Sequence, residues 1–349
     1  MNIIFSFLLS FITTTIAIPP TIWLAKRFNL LDNPKLRPHP AHVQNRIIPR
    51  AGGIAIFLGI MATAMLFVPM QKYLIGIILG LIVLLAIGVA DDKLKSVNPY
   101  LRLGLLALAA LLPVASGISI SFITNPLQSG EILKFDKPIA DFLAILWIVA
   151  LTQIINWSKG VDGQMPGITM VAAGVLGALS IKFYLMGDMS QIDIAKLAFA
   201  TSGASLGFLI FNWHPAKILP GFSGSTILAF MLATLAILSG AKVAISLLVL
   251  GIPTADFIYT FFRRIFEGHS PVWGDRGHLH HKLLNLGWSH QRISLFYMTV
   301  SAMLGAAALT FDTNSKIFAL CLVAVGFVIF VLWINSFGGV LRHPGPDNG

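Results

Sequence analysis

Residues 74–95 read LIGIILGLIVLLAIGVADDKLK: seventeen apolar or glycine residues from Leu74 to Ala90, then Asp91 and Asp92 at once. As a helix rising 1.5 Å per residue, such a run covers most of the roughly 30 Å of a bilayer's hydrocarbon core. Carboxylates at the end of a span are costly in lipid unless something partners them, so the adjacent pair is a candidate functional site. Neighbours on a helix point about 100° apart, which lets the two serve different tasks, one toward a metal or phosphate and one toward a proton. The alternative is that they mark the water boundary and pair with Lys93 and Lys95.

The same pattern recurs outward from this stretch. Apolar runs fall near 3–25, 52–69, 74–90, 101–122, 139–155, 167–185, 195–211, 225–240, 242–261, 294–311 and 316–336. The chain is 56% hydrophobic and only 11% charged, with a mean hydropathy of +0.83, far from the composition of a soluble domain. These features predict an all-α, polytopic membrane bundle of about eleven transmembrane helices, formed as a single domain over residues 1–349. No basic residue precedes the first run and two follow it, the reverse of a signal peptide, so Met1 is expected outside. The segments then placed inside hold 17 of the 24 Lys and Arg, as the positive-inside rule requires, which puts the C-terminus inside. All nine histidines fall on that side too, so the inner loops are where a site is expected. The net charge of +10 is therefore read as topology and not as nucleic-acid binding. Cys321, the single cysteine, lies in an apolar run and excludes both a disulfide framework and a cysteine zinc site. No P-loop or dinucleotide fingerprint occurs, and the outer connection at 123–138 shows no feature that suggests a domain.

Three inner loops could join the acidic pair. Asn156 to Gly167, NWSKGVDGQMPG, is a glycine-rich turn carrying Asn156, Lys159 and Asp162. Glycines let backbone amides approach phosphate oxygens, and a lysine adds a point charge, although any loop needs glycine. Phe211 to Ser225, FNWHPAKILPGFSGS, carries His214 and Lys217 and reads equally well as a proline-broken helix junction. Arg263 to Gly287 holds Asp275, Arg276, His278, His280 and His281 without the spacing of a standard zinc site. Its density of hydrogen-bond donors suits a diphosphate; the alternative is a basic loop resting on an anionic leaflet.

Taken in order, these pieces resemble the polyprenyl-phosphate N-acetylhexosamine-1-phosphate transferases of glycosyltransferase family 4, over nearly the whole chain. The similarity runs from RPHPAHVQNRIIPRAGG (Arg37 to Gly53) through Asp91-Asp92 with Arg102, the loop at Asn156 to Gly163, and Phe-Asn-x-x-Pro-Ala at Phe211 to Ala216. It closes with GIPTAD (Gly251 to Asp256), a double arginine and Asp-Arg-x-His-x-His-His at Asp275 to His281. The last motif is more similar to the N-acetylglucosamine branch than to the muramoyl-pentapeptide branch.

The resemblance implies an inner-membrane enzyme whose site faces the cytoplasm. It would move a sugar 1-phosphate, N-acetylglucosamine 1-phosphate above all, from a UDP-sugar to polyprenyl (undecaprenyl) phosphate, releasing UMP and starting a cell-envelope glycan such as lipopolysaccharide. Implied partners are the lipid phosphate, the UDP-sugar and the bilayer, with a homodimer as a further expectation. Carried over by position, Asp91 or Asp92 would orient or deprotonate the lipid phosphate, with Lys159 and His278 as further catalytic groups. Arg102, Asn156, Asp162, Arg276, His280 and His281 would bind substrate, Asp162 at the nucleoside. Asp92 and Asn156 would hold Mg2+ or Mn2+.

Two departures bear on that ion. The family's usual aspartate ligand is replaced by Phe222 in PGFSGS, and an aspartate of the glycine-rich loop by Lys159. Losing an anion while gaining a cation is coherent if Lys159 supplies part of the ion's charge. It is also what a catalytically silent binder of polyprenyl phosphate, scaffolding the same pathway, would show. A transporter is disfavoured, because the polar residues gather at one face and Asp256 is the main acid within a span.

Overall fold

The computed structural model describes residues 2–34, 46–94, 97–125, 131–240, 243–272 and 274–337. Part of the motif from Arg37 to Gly53, with its His39 and His42, lies outside the described residues, as do Lys95 and the tail from 338.

The chain is built from helices α1 (Ile3–Arg27), α2 (Gly52–Phe67), α3 (Lys72–Leu94), α4 (Pro99–Ala115), α5 (Lys137–Trp157), α6 (Gln164–Leu185) and α7 (Gln191–Asn212). They continue as α8 (Gly221–Leu238), α9 (Val243–Val249), α10 (Gly251–Phe266), α11 (Leu279–Asn285), α12 (His290–Thr310) and α13 (Thr313–Phe337). Eight of the described helices are long and apolar enough to cross a membrane, and α9 with α10 adds a ninth if counted as one span. Large apolar side chains such as Phe5, Leu66, Phe142, Phe318 and Leu322 face outward, as lipid contact requires. The protein is therefore a multi-pass membrane protein.

Three features depart from the expectation. The 242–261 run is not one straight span, because α9 and α10 meet at 89°. Pro253 has no N–H to offer the preceding turn, and with Gly251 beside it the helix restarts there. Two short antiparallel pairs break the all-α reading: β1 (Leu31–Asp32) with β2 (Ile48–Pro49), and β3 (Phe122–Thr124) with β4 (Ile132–Lys134), the latter in the connection that looked featureless. α2 and α4, at 16 and 17 residues, are shorter than the other spans.

α8 is the axis of the bundle. Its sequence, GFSGSTILAFMLATLAIL, is apolar all round, and such a helix must be surrounded. It is buried from Gly221 to Ile237 among α2, α3, α5, α6 and α7, and the Trp147 indole donates to the Ala233 carbonyl at 3.1 Å, fastening α5 to it. Gly53 on α2 and Gly88 on α3 lie directly against Ser223, where a β-carbon on either would overlap it. Three helices thus converge on the first turn of α8. Segment 48–50 joins them through Leu219, whose N–H donates to the Pro49 carbonyl at 2.8 Å and whose carbonyl accepts from Gly52 at 3.2 Å.

Candidate active site

The first turn of α8 has backbone N–H groups with no partner inside the helix, and the carboxylate that takes them comes from α3. Asp92, fully buried, accepts from the Phe222 N–H at 2.8 Å and the Arg50 Nε at 2.8 Å through Oδ1. Oδ2 accepts from the Ser223 hydroxyl at 2.8 Å and its N–H at 3.3 Å. Gly221, at φ +70°, lies so close to this carboxylate that a β-carbon would collide with it. Four donors fill the acceptor positions of the group. Its charge suits a helix N-terminus, and Arg50, which also reaches Asp32 at 3.4 Å, balances it.

Asp91 is placed differently. α4 starts one short loop after α3, with Asn98 capping it by accepting from the Tyr100 N–H at 2.8 Å and Pro99 at its first position. This brings Arg102 back to Asp91, Nε to Oδ1 at 2.5 Å. The other oxygen, Oδ2, is buried with no hydrogen-bond partner among the described residues. Buried polar atoms are almost always paired, so this oxygen, beside a guanidinium, is open to a further donor. The two aspartates pair with Arg102 and Arg50, and the described side chain of Lys93 plays no part in these bonds.

The loop after α5 brings a third cation. Lys159 Nζ donates to Asn156 Oδ1 at 2.6 Å and to the Gly221 carbonyl and Ser225 Oγ at 3.3 Å each. The Phe222 ring lies 5.8 Å from this ammonium and 5.4 Å from the Arg102 guanidinium, so the aromatic side chain in the acidic ligand's place is faced by two cations. Burial, then the repulsion of Arg50, pushes the Lys159 pKa down to about 7, against the pull of Asp92.

The same loop meets the histidine-bearing segment. Gly160 lies against the His280 ring with no room for a β-carbon. His278 is locked: Nδ1 and the Asp256 carboxylate are 2.8 Å apart, and Nε2 faces Arg264 at 3.5 Å. The Leu279 N–H donates to the other Asp256 oxygen at 2.9 Å, so the acid read as isolated within a span serves to anchor this loop. Asp275 accepts from Arg263, Arg264 and the Gly277 N–H, and these cations hold its carboxyl far below the usual carboxylate range although burial opposes them. His280 Nδ1 and His281 Nε2 are buried without hydrogen-bond partners among the described residues. Burial, then the neighbouring histidines, lowers the pKa of both imidazoles, that of His281, which also lies near Arg276, to about 4. Arg276 is exposed.

Asp162 takes a role within the protein. Its Oδ2 lies 2.8 Å from His214 Nδ1 and accepts from the Ala216 N–H at 3.1 Å, tying the glycine-rich loop to the segment before α8. His290, at the start of α12, receives the Asp162 N–H at 3.3 Å. Sequence places His214 in its loop without assigning it a partner and does not single out His290, since each lies far along the chain from Asp162.

Neither possible cation site fits a metal as its residues stand. Asp92 has no open acceptor position, and Asn156 Oδ1 already receives Lys159 and the Ser225 hydroxyl at 2.9 Å. Asp162, His214 and His290 bring three ligand-type atoms within 4.8 Å, but these are engaged within the protein: Asp162 Oδ2 lies 2.8 Å from His214 Nδ1 and accepts from the Ala216 N–H, and His290 Nδ1 accepts from the Asp162 N–H.

The profile of glycosyl transferase family 4 matches residues 74–240, which contain Asp91, Asp92, Arg102, the Lys159 loop and the whole of α8. Over this stretch, just under half of its length, the chain is similar to that family. It is 27% identical to a probable undecaprenyl-phosphate N-acetylglucosaminyl 1-phosphate transferase of Bacillus subtilis, over 96% of this chain and 90% of the relative. A decaprenyl-phosphate N-acetylglucosaminephosphotransferase of Mycolicibacterium smegmatis is 28% identical over 93% and 85%. The phospho-N-acetylmuramoyl-pentapeptide-transferase of Bacillus subtilis is 29% identical over 86% and 95%. That family is generally metal-dependent.

Proposed function

We propose that this phospho-sugar transferase moves N-acetylglucosamine 1-phosphate from its UDP-activated form to undecaprenyl or a related polyprenyl phosphate, at the cytoplasmic face of the inner membrane. The observation that carries the reading is the orphan Asp91 Oδ2 set among Arg50, Arg102 and Lys159 at the first turn of α8. Transfer between two phosphates needs charge neutralised and oxygens aligned more than it needs covalent help. The names of the relatives support the lipid acceptor and the amino sugar, and the ordered motifs support the UDP donor.

In this reading a lipid phosphate oxygen attacks the phosphorus that carries the sugar. The new O–P bond forms as the bridge to the other phosphorus breaks, and UMP leaves with that bridging oxygen. Asp91 takes any remaining proton from the lipid phosphate and aims the attacking oxygen. Arg102 and Lys159 bind phosphate oxygens, and Asp92 positions the α8 turn that carries Phe222 and Ser225. His280 and His281, neutral and with open nitrogens, face the sugar phosphate with Arg276 at the rim, while Asp162 fixes the loop beneath the nucleoside. No step passes through Mg2+ or Mn2+. UMP release and lipid-extractable label from a panel of radiolabelled UDP-sugars test the reading: product with UDP-N-acetylglucosamine is expected. A folded protein that releases no UMP from any of them would be a silent polyprenyl-phosphate binder.

The protonated fraction of Lys159 falls as pH rises through about 7, whereas an unperturbed lysine would keep its charge to beyond pH 10. If the charged form is the active one, the pH profile of UMP release should decline on the alkaline side from near neutrality, approaching about tenfold per pH unit.

Counting α2, α4 and the bent α9–α10 pair with the eight longer helices makes eleven spans, with the N-terminus outside and the C-terminus inside. A reporter fused after Gly349 should then report the cytoplasm; a periplasmic signal would reverse the site's sidedness.

A further inference from the structure

The Lys159 ammonium is held much as a protein holds a metal ion, in a cage of oxygens: the Asn156 amide at 2.6 Å, the Ser225 hydroxyl at 3.3 Å and the Gly221 carbonyl at 3.3 Å. Ser225 also donates to Asn156 or to a carbonyl of the α8 turn, so the cage is itself cross-linked. The Phe222 ring closes one side. Arg50 and Arg102 lie near enough to repel the ammonium, and Asp92 and Asp91 near enough to attract it.

We propose that Lys159 takes the place of a divalent cation in this chain and supplies part of its positive charge, so that the site binds no ion and phosphoryl transfer proceeds without one. The inference rests on the transfer reading above and deepens it.

A divalent ion such as Mg2+ needs oxygen ligands at about 2.1 Å in near-octahedral array, usually one or two carboxylates plus substrate phosphates. At this site Asn156 Oδ1 is bound to the ammonium, both Asp92 oxygens are filled, and Asp91 is paired with Arg102 through one oxygen. Three cations, Arg50, Arg102 and Lys159, face Asp91 and Asp92 there, with Asp32 behind Arg50. An entering dication would be repelled by three cations already seated around the carboxylates, whereas substrate phosphates would be attracted by them. The protonated form of Lys159 is the one that acts: the O–P bond that forms and the P–O bond that breaks need no electron or proton from it, only compensation of the charge spreading over the phosphoryl oxygens.

The test is made on the full chain in nanodiscs stripped of metal. By electron paramagnetic resonance of added Mn2+, the wild type should retain no ion at the site. With UDP-N-acetylglucosamine and a polyprenyl phosphate, UMP release should persist in excess EDTA, and Lys159→Met should lower it about 100-fold. Combined Lys159→Asp and Phe222→Asp should create a Mn2+ site and make turnover require the ion. One Mn2+ bound by the wild type and displaced by Mg2+ would overturn the proposal, as would EDTA abolishing turnover that Mg2+ restores. The Mn2+ measurement needs neither a variant nor turnover. A wild type inactive under every condition would sink the transfer reading, while ion binding alone would still decide this one.

Discussion

Asp91→Asn should leave the protein folded and lower UMP release by about 100- to 10,000-fold, the range set by a positioned proton acceptor. Asparagine keeps an oxygen for Arg102 at the position of Oδ1, so the α3–α4 junction is retained. The orphan Oδ2 becomes an amide that donates and cannot accept a proton. The loss should fall on kcat with little change in KM, since Arg102 and Lys159 still bind phosphate. Initial rates with radiolabelled UDP-N-acetylglucosamine, beside a thermal unfolding curve for each protein, give the answer. A near-wild-type rate would remove Asp91 from the chemistry.

The neighbouring residue should behave in the opposite way. Asp92→Ala strips four hydrogen bonds at once and leaves the half-buried Arg50 with Asp32 as its remaining partner at 3.4 Å. Removing one member of a buried ion pair costs about 3–5 kcal/mol, and here it also uncaps the central helix. The expected result is loss of folded protein, seen as low yield from membranes, aggregation on size exclusion and a sharply lowered unfolding temperature. Asp92→Asn should fare better, because its amide oxygen can still accept from Arg50 or Phe222. If Asp92→Ala is well folded but inactive, the residue acts in the chemistry and the positioning role fails.

Adjacent aspartates with separate duties show where sequence reading ends. The apolar runs coincide largely with described helices, eight of them long and apolar enough to cross a membrane and a ninth if the bent α9–α10 pair is one span, while the 101–122 run is helical only to Ala115. That much is local: lipid exposure demands apolar length, and apolar length is written residue by residue. The break at Leu250 also has a local cause in Gly251 and Pro253, and could have been read from them.

The partners of the charged groups are not local. Sequence neighbours suggested Lys93 and Lys95 for the acidic pair, yet the bonds are made by Arg50, 42 residues before Asp92, and Arg102, 11 residues after Asp91. His278 is held by Asp256, and Asp162 by His214 and Ala216, through turns that no periodicity announces. Lys159 could be recognised from sequence as a charge out of place, but its cage is made by Asn156 on α5 and by Gly221 and Ser225 on α8. The amino-acid sequence by itself determined the multi-pass membrane class, the helical character of its apolar runs and the set of polar residues available. Which aspartate is capped, which keeps an open oxygen and what Lys159 binds were decided by tertiary packing. Those outcomes depend on how closely α2 and α3 approach Ser223 of α8 at Gly53 and Gly88, where hydrogen-bond geometry changes with every few tenths of an ångström.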